Sequence, residues 1–351
     1  MAASLDNSFA GPLPTGPVLL TGATGFIGAV VLRRLRALGV EVRCLVRDSA
    51  RAARAGIPTE IQRLGDLADP AAVRDAAAGV ASVLHLAGAT KSLDDAGFER
   101  ANAHGVQTLA EVTPDGARFV LVSSLAAVGP SRDGAATVRP SNEATPVSRY
   151  GASKLRGELK LLEHRERLDW CILRPPIVYG PNDDGTLLLI KQALGWLAPV
   201  PTPPRPLSLI HVEDLALALL LALGRRGVPG YFPTDGAERS DTTALVRTIA
   251  RLAGRHARPL PLPMLLARAA GHVADVFHRW RGKPSFFCAD KMREASAPGW
   301  VADREAILAA LGFAPRIDLA AGFGPLLGRR IAAPTGAATV QAADSPAGRS
   351  A

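Results

Sequence analysis

Tyr150 and Lys154 are the residues of this chain whose types and spacing could most directly do chemistry. They stand four positions apart, so on a helix both side chains would lie on the same face, one turn from each other. A nearby ammonium favours phenolate, which makes a tyrosine usable as an acid or base near neutral pH. A Tyr-x-x-x-Lys pattern also occurs by chance, so its meaning depends on the elements that would position it.

A glycine turn near the start of the chain is one such element. The apolar run Val18–Thr21 leads into Gly22, Gly25 and Gly28, and an apolar-periodic helix follows and ends at Gly39. Gly22 and Gly25 would let the backbone approach a pyrophosphate, and Gly28 would let the helix pack closely on the strand. This strand, turn and helix predict a dinucleotide site, against the alternative of a structural turn that binds no nucleotide.

The end of the second predicted strand, Val42–Val46, should lie beside the adenosine ribose of a dinucleotide. An acidic residue there accepts the ribose hydroxyls of NAD, whereas a basic one accommodates the 2′-phosphate of NADP. Because Arg47 follows the strand, we predict NADP with Arg47 as its phosphate partner and Arg43 as a second candidate, and NAD through Asp48 as the alternative. Asp66 could accept a hydrogen bond from the adenine amino group, or could cap the helix that begins at Pro70.

Composition and charge argue against several classes of function. The net charge of +9 suggests nucleic acid, but the arginines are scattered and no basic patch is interleaved with aromatics, so we expect no nucleic-acid partner. Cys44, Cys171 and Cys288 are far apart, so we predict neither a disulfide framework nor a metal site. No signal-peptide pattern and no bilayer-length apolar run is present, so we expect a cytoplasmic protein.

Short apolar runs alternate with helical patterns through the first half of the chain, which predicts an α/β fold with a doubly wound parallel sheet. We expect a dinucleotide-binding domain over 17–175 and a smaller C-terminal substrate lobe over 176–206 and 234–330. Residues 207–233, with a helix from about Leu207 to Leu223, should return to the first domain. Residues 1–16 and 332–351 are small, polar and non-periodic, and are predicted to be disordered. The predicted strands are Val18–Thr21, Val42–Val46, Ile61–Leu64, Ser82–Leu86, Phe119–Ser123 and Cys171–Arg174.

Taken in order, these motifs resemble the short-chain dehydrogenase/reductase superfamily, in its extended branch, the NAD-dependent epimerase/dehydratase family. The matching elements are TGATGFIG at 21–28, GDL at 65–67, HLAG at 85–88, VSS at 122–124, YGASK at 150–154 and RPPIVYGP at 174–181. The resemblance spans residues 17–325. It implies a Rossmann domain, a small C-terminal substrate lobe and a Ser/Tyr/Lys reaction centre.

In that centre the resemblance assigns Ser124, Tyr150 and Lys154 as catalytic residues. Ser124 would hydrogen-bond the substrate carbonyl or alcohol, and Tyr150 would pass a proton while hydride moves to or from the nicotinamide. Lys154 would hold the ribose hydroxyls and lower the pKa of the tyrosine. Ser123 is interpreted as backbone support. The candidate cofactor-binding residues are Gly22, Thr24, Gly25, Phe26, Ile27, Gly28, Arg47, Asp66, Leu67, Leu86, Ala87, Gly88, Tyr150, Lys154 and Pro175.

Other polar residues near these motifs are expected to support or border the site. Asn102 matches an asparagine that recurs in a helix of the extended branch, and we interpret it as structural support. The backbone of His85 should line the nicotinamide pocket, and Tyr179 should line the substrate cleft. Thr90 and Lys91 could border the substrate or belong to an ordinary loop.

The substrate class is indicated by the residues at and before the start of segment 207–233, which is predicted to return to the first domain. Leu207 occupies the place where nucleotide-sugar relatives commonly carry an arginine that grips the substrate pyrophosphate, and Arg205 could replace it only if the loop bends back. The run 196–201 is apolar and proline-rich, which suits a hydrophobic ligand. Residues 259–281 carry an apolar stripe beside arginines, which could cover the substrate, rest on a membrane surface or pack on the lobe.

This pattern is most similar to the 3β-hydroxysteroid dehydrogenase and dihydroflavonol reductase members. We therefore predict an NADP-dependent oxidoreductase, with NAD as the alternative, acting on a carbonyl or secondary alcohol of a steroid-, polyketide- or flavonoid-like metabolite. The competing hypotheses are a nucleotide-sugar epimerase or dehydratase with tightly bound NAD, and a dinucleotide-sensing regulatory protein. The resemblance also implies a homodimer through helices at about Ser148–His164 and Phe98–Val112.

Overall fold

A computed structural model of the chain describes residues 11–131, 139–282 and 287–331, together with positions 9, 136 and 285. Most of the segments predicted to be disordered, 1–8, 10 and 332–351, lie outside the described residues. The described part of the leader makes contacts with the first domain. Phe9 packs against its core, and a side chain added at Gly11 would meet Leu221.

Seven parallel strands form the central sheet of the described chain, in the order β10-β6-β5-β4-β1-β2-β3. The strands are β1 (Val18–Thr21), β2 (Val42–Val46), β3 (Gln62–Leu64), β4 (Ser82–His85), β5 (Arg118–Val122), β6 (Asp169–Arg174) and β10 (Tyr231–Pro233). Each predicted strand is present, with ends shifted by two residues at most. The predicted doubly wound parallel α/β fold is therefore confirmed. The strand order reverses between β1 and β4, which opens a crevice at their carboxyl ends.

Helices cover both faces of this sheet. The helices of the first domain are α1 (Phe26–Ala37), α2 (Ser49–Arg54), α3 (Pro70–Ala77), α4 (Asp95–Glu99), α5 (Gly105–Val112), α6 (Leu125–Val128), α7 (Arg149–Leu162) and α9 (Val212–Gly224). A π-helical turn, Arg100–His104, joins α4 to α5. One face buries residues of α1 and α9 such as Leu35 and Leu219, and the other buries Val73, Leu109 and Leu161. The near-continuous apolar strands follow from this two-sided burial.

The remaining elements form a smaller lobe over the carboxyl edge of the sheet. Its strands are β7 (Ile177–Tyr179), β8 (Ala198–Thr202), β9 (Pro206–His211), β11 (Arg239–Asp241) and β12 (Pro259–Pro263). Its helices are α8 (Asp184–Ala193), α10 (Thr242–Leu252), α11 (Met264–Arg281), α12 (Ala289–Ala295) and α14 (Leu319–Ile331), while α13 (Glu305–Leu311) packs near β10. Strand β9 lies between β7 and β11, and β8 pairs with β12.

The helix predicted from about Leu207 is wrong over its first five residues. Residues 207–211 belong to β9, whose backbone pairs with β7 on one side and β11 on the other. The helix begins only at Val212, where the ring of His211 accepts a hydrogen bond from the Glu213 amide at 3.3 Å. Hydrogen bonds to β7 and β11, which are distant in sequence, decide the conformation of residues 207–211 against the helix that their apolar sequence predicts. Beyond α9, β10 rejoins the central sheet beside β6.

Candidate active site

A cavity of about 590 Å³ lies between the carboxyl ends of the central strands and the smaller lobe. Ser124, Tyr150 and Lys154, separated by up to thirty positions in sequence, line it together. Of the candidate cofactor residues, Phe26, Ile27, Leu86, Gly88 and Pro175 also line it. The topology therefore brings the predicted reaction centre to the crevice where open α/β sheets bind ligands.

The end of β5 and the start of α7 bring the hydroxyls of Ser124 and Tyr150 to the same cavity. Ser124 stands just beyond β5 and caps α6, its Oγ accepting a hydrogen bond from the Ala126 amide at 3.2 Å. Ser148 caps α7, which puts Tyr150 in the first turn of that helix. The side chains of Ser124 and Tyr150 both line the cavity, and the Ser124 hydroxyl lowers the pKa of Tyr150. A carbonyl oxygen placed here would have two hydroxyl donors within reach.

Lys154 lies one helical turn from Tyr150, as its spacing predicts. Its Nζ is buried and donates to the carbonyl oxygen of Val122 at 2.7 Å. Burial lowers the pKa of Lys154 to about 8, while the charge of Glu158 raises it. Glu158 is itself held in a buried ion pair with Arg174.

The cation above the Tyr150 ring is a different lysine, which sequence reasoning missed. The Nζ of Lys291 lies 4.6 Å from the centroid of the Tyr150 ring. The pKa of Tyr150 is raised, and burial is the largest cause. The charge of Lys291 and the Ser124 hydroxyl lower this pKa, whereas the charge of Glu294 raises it. Although burial lowers the pKa of Lys291, Glu294 and Tyr150 bring it above its ordinary value.

Helix α12 places Lys291 by fastening itself to the start of α7. The carboxylate of Asp290 accepts hydrogen bonds from the backbone amides of Arg149 at 2.7 Å and Tyr150 at 3.2 Å. Glu294 accepts from the Ser148 hydroxyl and from Lys291, both at 2.7 Å. In the sequence these are ordinary charges of a short helix, and no local signal reveals that they surround the tyrosine.

The glycine turn forms a cradle without side chains, as a pyrophosphate requires. Gly22 has φ +76°, and a Cβ there would lie 2.7 Å from the backbone nitrogen of Ala87. A Cβ on Gly28 would overlap the carbonyl of Gly22. Helix α1 begins after Gly25 with no side-chain cap, so its first amides are left for another acceptor. These features fit a dinucleotide whose phosphates rest on the N-terminus of α1.

The adenine side of the candidate site contains Arg47 and Asp66. The Arg47 side chain is 73% exposed, and its guanidinium stands 3.9 Å from the carboxylate of Asp66. Asp48 caps α2, one of its carboxylate oxygens accepting from the amide of Arg51 at 3.0 Å. The alternative role of Asp66 as a cap for the Pro70 helix is wrong, because Asp69 caps α3.

Other candidates lie behind the cavity wall. Ala87 donates from its backbone to the Thr21 hydroxyl at 3.2 Å, and Leu67 packs against the core beside α5. Thr24 is half-buried beside the glycine turn. The ring of His85 is buried and hydrogen-bonded to Thr21 Oγ1 at 2.8 Å, and burial lowers its pKa to about 3. His85 is therefore neutral at physiological pH.

Asn102 joins the loop after β4 to helix α7. Its side-chain amide donates to Ala89 O and to Ser153 Oγ, both at 2.9 Å, and its oxygen accepts from the Ala89 amide at 2.8 Å. The π-helical turn that contains Asn102 aims the side chain at both partners. Thr90, in the loop after β4, lines the cavity.

The substrate side of the cavity is mainly apolar, with one arginine. Its apolar lining residues in this lobe include Ile177, Tyr179, Leu189, Pro201, Leu207 and Trp300. Tyr179 stacks on Phe323 with ring centroids 4.5 Å apart. Arg205 also lines the cavity, and its buried Nε has no hydrogen-bond partner among the described residues.

Comparison with known proteins identifies the family of this chain. Residues 18–231 match the family described as NAD dependent epimerase/dehydratase. The chain belongs to that family. It is accordingly an NAD(P)-dependent enzyme of the short-chain dehydrogenase/reductase type, as the sequence motifs predict.

Two relatives and one solved structure are similar to this chain. The chain is 34% identical to a ceramide reductase of Caulobacter vibrioides over 290 residues, which cover 81% of this chain and 86% of that protein. It is 29% identical over 281 residues to the 4-hydroxy-2-methyl-3-oxo-4-farnesyl-3,4-dihydroquinoline-1-oxide ketoreductase of Stigmatella aurantiaca, covering 75% and 80%. The UDP-glucose 4-epimerase of Thermus thermophilus, solved with NAD, shares the fold at 22% identity, with a TM-score of 0.69 over 90% of this chain and 99% of that one.

Metal-binding clusters and membrane spans are both missing from the part of the chain that the structure describes. Among the described residues, no group of three or more His, Cys, Asp or Glu side chains could hold a metal ion. No helix in the described ranges is both long and apolar enough to cross a bilayer.

Proposed function

We propose that this protein reduces a ketone, or oxidises the corresponding secondary alcohol, on a hydrophobic metabolite with NADP. The observation that carries the proposal is the cavity itself, in which Ser124 and Tyr150 face a largely apolar wall. Leu207 stands in that wall at the place where nucleotide-sugar relatives commonly carry an arginine. The ceramide reductase and the farnesyl-quinoline ketoreductase among its relatives support a lipid-like ketone.

The residues of the chain can perform the proton part of this reaction. The hydroxyls of Ser124 and Tyr150 would both hydrogen-bond the substrate oxygen, which orients the carbonyl and stabilises negative charge on it. The bound nicotinamide supplies the hydride to the carbonyl carbon. Tyr150 gives its phenolic proton to that oxygen, so the C=O bond becomes an alcohol and a phenolate remains. Lys291, above the ring, stabilises the phenolate, and Lys154 would hold the ribose hydroxyls.

The preference for NADP rests on Arg47. Its guanidinium is largely exposed and its contact with Asp66 is long, so it is available to a 2′-phosphate. Arg47→Ala should weaken binding of NADPH at least about tenfold and leave NADH binding nearly unchanged. Arg54→Ala, an exposed arginine on the neighbouring α2, is the matched control. Equal loss for both dinucleotides would remove the 2′-phosphate role.

The activity can be tested by following the absorbance of NADPH with a panel of ketones. The panel would contain a steroid ketone, a long-chain acyl ketone and a small water-soluble ketone, with Tyr150→Phe as the inactive control. We expect turnover that increases with the apolar character of the substrate. Absence of turnover on every ketone, combined with retained NAD and binding of a UDP-sugar, would refute the proposal.

The second candidate, a nucleotide-sugar epimerase or dehydratase, is favoured by Arg205. Its partnerless Nε in the cavity could take a phosphate oxygen of a sugar nucleotide. Arg205→Gln would then abolish binding of the sugar nucleotide. In the ketone-reductase proposal the same substitution should change the Michaelis constant for polar substrates only. Titration calorimetry with UDP-glucose separates the two.

We also propose that the protein is a homodimer through the outer faces of α5 and α7. Leu159 supports this, because it is an apolar residue 40% exposed on the catalytic helix. Leu159→Arg should convert the dimer to a monomer in light scattering. A wild-type chain that is monomeric at micromolar concentration would refute it.

A further inference from the structure

Helix α11 exposes its large apolar side chains, and the residues it buries are small. Six apolar residues face outward with exposed fractions between 48% for Phe277 and 81% for Trp280. The six are Leu265, Leu266, Val273, Val276, Phe277 and Trp280. The packed side contains Ala267, which is buried, and Gly271, where a Cβ would lie 2.7 Å from Met292 Cγ. This is the reverse of an ordinary surface helix, whose apolar face is the packed one.

The outward residues form one continuous face rather than scattered exposures. At about 100° per residue they fall within an arc of about 120°, and the helix is about 27 Å long. Ala267, Gly271 and His278 lie on the opposite side, where a Cβ at Gly271 would meet residues of α12. A contiguous apolar face of this kind on a folded protein marks a surface that binds something.

The charges beside this face identify the kind of partner. Arg268 and His272 are exposed along one edge of it, and Arg281 is exposed at the other. The guanidinium of Arg281 lies 5.3 Å from the Phe277 ring. Asp275, the one acidic residue in the α11 sequence, is half-buried on the inner side, 3.3 Å from the Ala289 amide. An apolar face with basic edges and a tryptophan is the pattern of a helix that lies in the interface of an anionic bilayer.

A second copy of the chain fits this face less well. In two copies packed face to face, the basic edges would approach each other without a carboxylate between them, which costs free energy. An anionic lipid surface instead meets both edges with opposite charge, and the whole chain carries +9.

We propose that α11 docks on a membrane that contains anionic phospholipid, with its apolar face in the interface and its axis along the surface. The proposal rests on the proposed function, because a lipid-like ketone would reside in that membrane. The inner side of α11 packs on α12, which carries Lys291 and Glu294 into the wall of the active-site cavity. A smaller cavity of about 230 Å³, lined by His272 and Asp275 of α11 and by Lys291, lies beside it. One helix layer thus separates the docked face from the reaction centre.

The test is flotation of the full-length protein with vesicles of phosphatidylcholine alone, and with a quarter of phosphatidylglycerol added. We expect binding to the mixed vesicles that weakens as salt rises. The triple variant Leu265→Ser, Val276→Ser, Trp280→Ser should lower the partition coefficient at least about tenfold. Leu308→Ser on α13, where the side chain is 51% exposed, is the control and should bind as the wild type does.

Two outcomes would overturn the proposal. One is that the wild type floats with neither vesicle, or that the triple variant floats equally well. The other is that the wild type does not bind vesicles but forms a dimer that the triple substitution dissociates. That result would assign the apolar face of α11 to contact with a second copy of the chain. Turnover of the water-soluble ketone without vesicles is measured in parallel. The triple variant should retain it, so failure of docking and failure of the ketone-reductase activity are distinguished.

Discussion

Removing the ammonium of Lys291 should raise the kinetic pKa of Tyr150, the proposed proton donor. Lys291→Met keeps an unbranched apolar stem and deletes the charge that lies 4.6 Å from the Tyr150 ring centroid. The sequence pattern assigns the lowering of this pKa to Lys154 instead. In the structure, however, the Lys154 ammonium donates to Val122 O, and Lys291 is the cation over the ring.

The size of the shift follows from the distance and from the partial exposure of the pair. Unit charges about 4 Å apart interact by about 1 kcal/mol in water and about 4 kcal/mol at an effective dielectric constant of about 20. The Lys291 side chain is 25% exposed and Glu294 is 15% exposed, so the interaction falls between these limits. Loss of about 1.4 to 2.8 kcal/mol corresponds to a rise of about one to two pH units. Glu294, left without its cation 2.7 Å away, adds to the rise.

The assay is the pH profile of kcat in the direction of alcohol oxidation, where the phenolate would be the base in the proposed reaction. We expect the acidic limb to move to higher pH by about one to two units in Lys291→Met and to return in Lys291→Arg. Glu294→Gln should move it the other way, because the charge of Glu294 raises the pKa of Tyr150. The control is Lys160→Met, which removes a lysine from the outer part of α7, the helix that carries Tyr150. It should leave the acidic limb in place.

An acidic limb that stays in place in Lys291→Met but moves in Lys154→Met would contradict the role of Lys291. That result would show that Lys154, and not Lys291, lowers the pKa of Tyr150. An unchanged thermal midpoint in Lys291→Met would show that the comparison is between folded enzymes.

Three further predictions concern stability and the cofactor cradle. Because burial lowers the pKa of His85 to about 3 from 6.5, the unfolded chain takes up a proton below pH 6.5 that the folded chain does not. Stability should fall from that pH downwards, by about 2 kcal/mol at pH 5, and His85→Gln should remove this part of the fall in urea unfolding. Gly28→Ala overlaps the Gly22 carbonyl and should weaken NADPH binding at least about tenfold by fluorescence titration, while Gly324→Ala, with open space around it, should not. Asp290→Ala leaves two first-turn amides of α7 without their acceptor and should cost about 1 to 3 kcal/mol in urea unfolding, and an unchanged midpoint would contradict the capping role.

Local sequence was sufficient for the elements whose form depends on neighbouring residues. The strand, glycine turn and helix from Val18 to Ala37 could be predicted directly, since Gly28 is required by a backbone contact within ten residues. The spacing of Tyr150 and Lys154 was sufficient to place both on one helix. It was not sufficient over 207–211, where pairing with β7 and β11 decided for a strand.

What the sequence by itself determined is the succession of strands and helices along the chain, a glycine turn that fits a dinucleotide, and the prediction that Ser124, Tyr150 and Lys154 share one site. Only the tertiary structure decided that Lys291, 141 positions beyond Tyr150, lies over its ring, and that α11 turns its apolar stripe outward. The physical reason is the range of the interactions. Backbone hydrogen bonds and apolar periodicity act over a few residues, whereas the face that a helix buries depends on contacts between distant segments that local pattern does not encode.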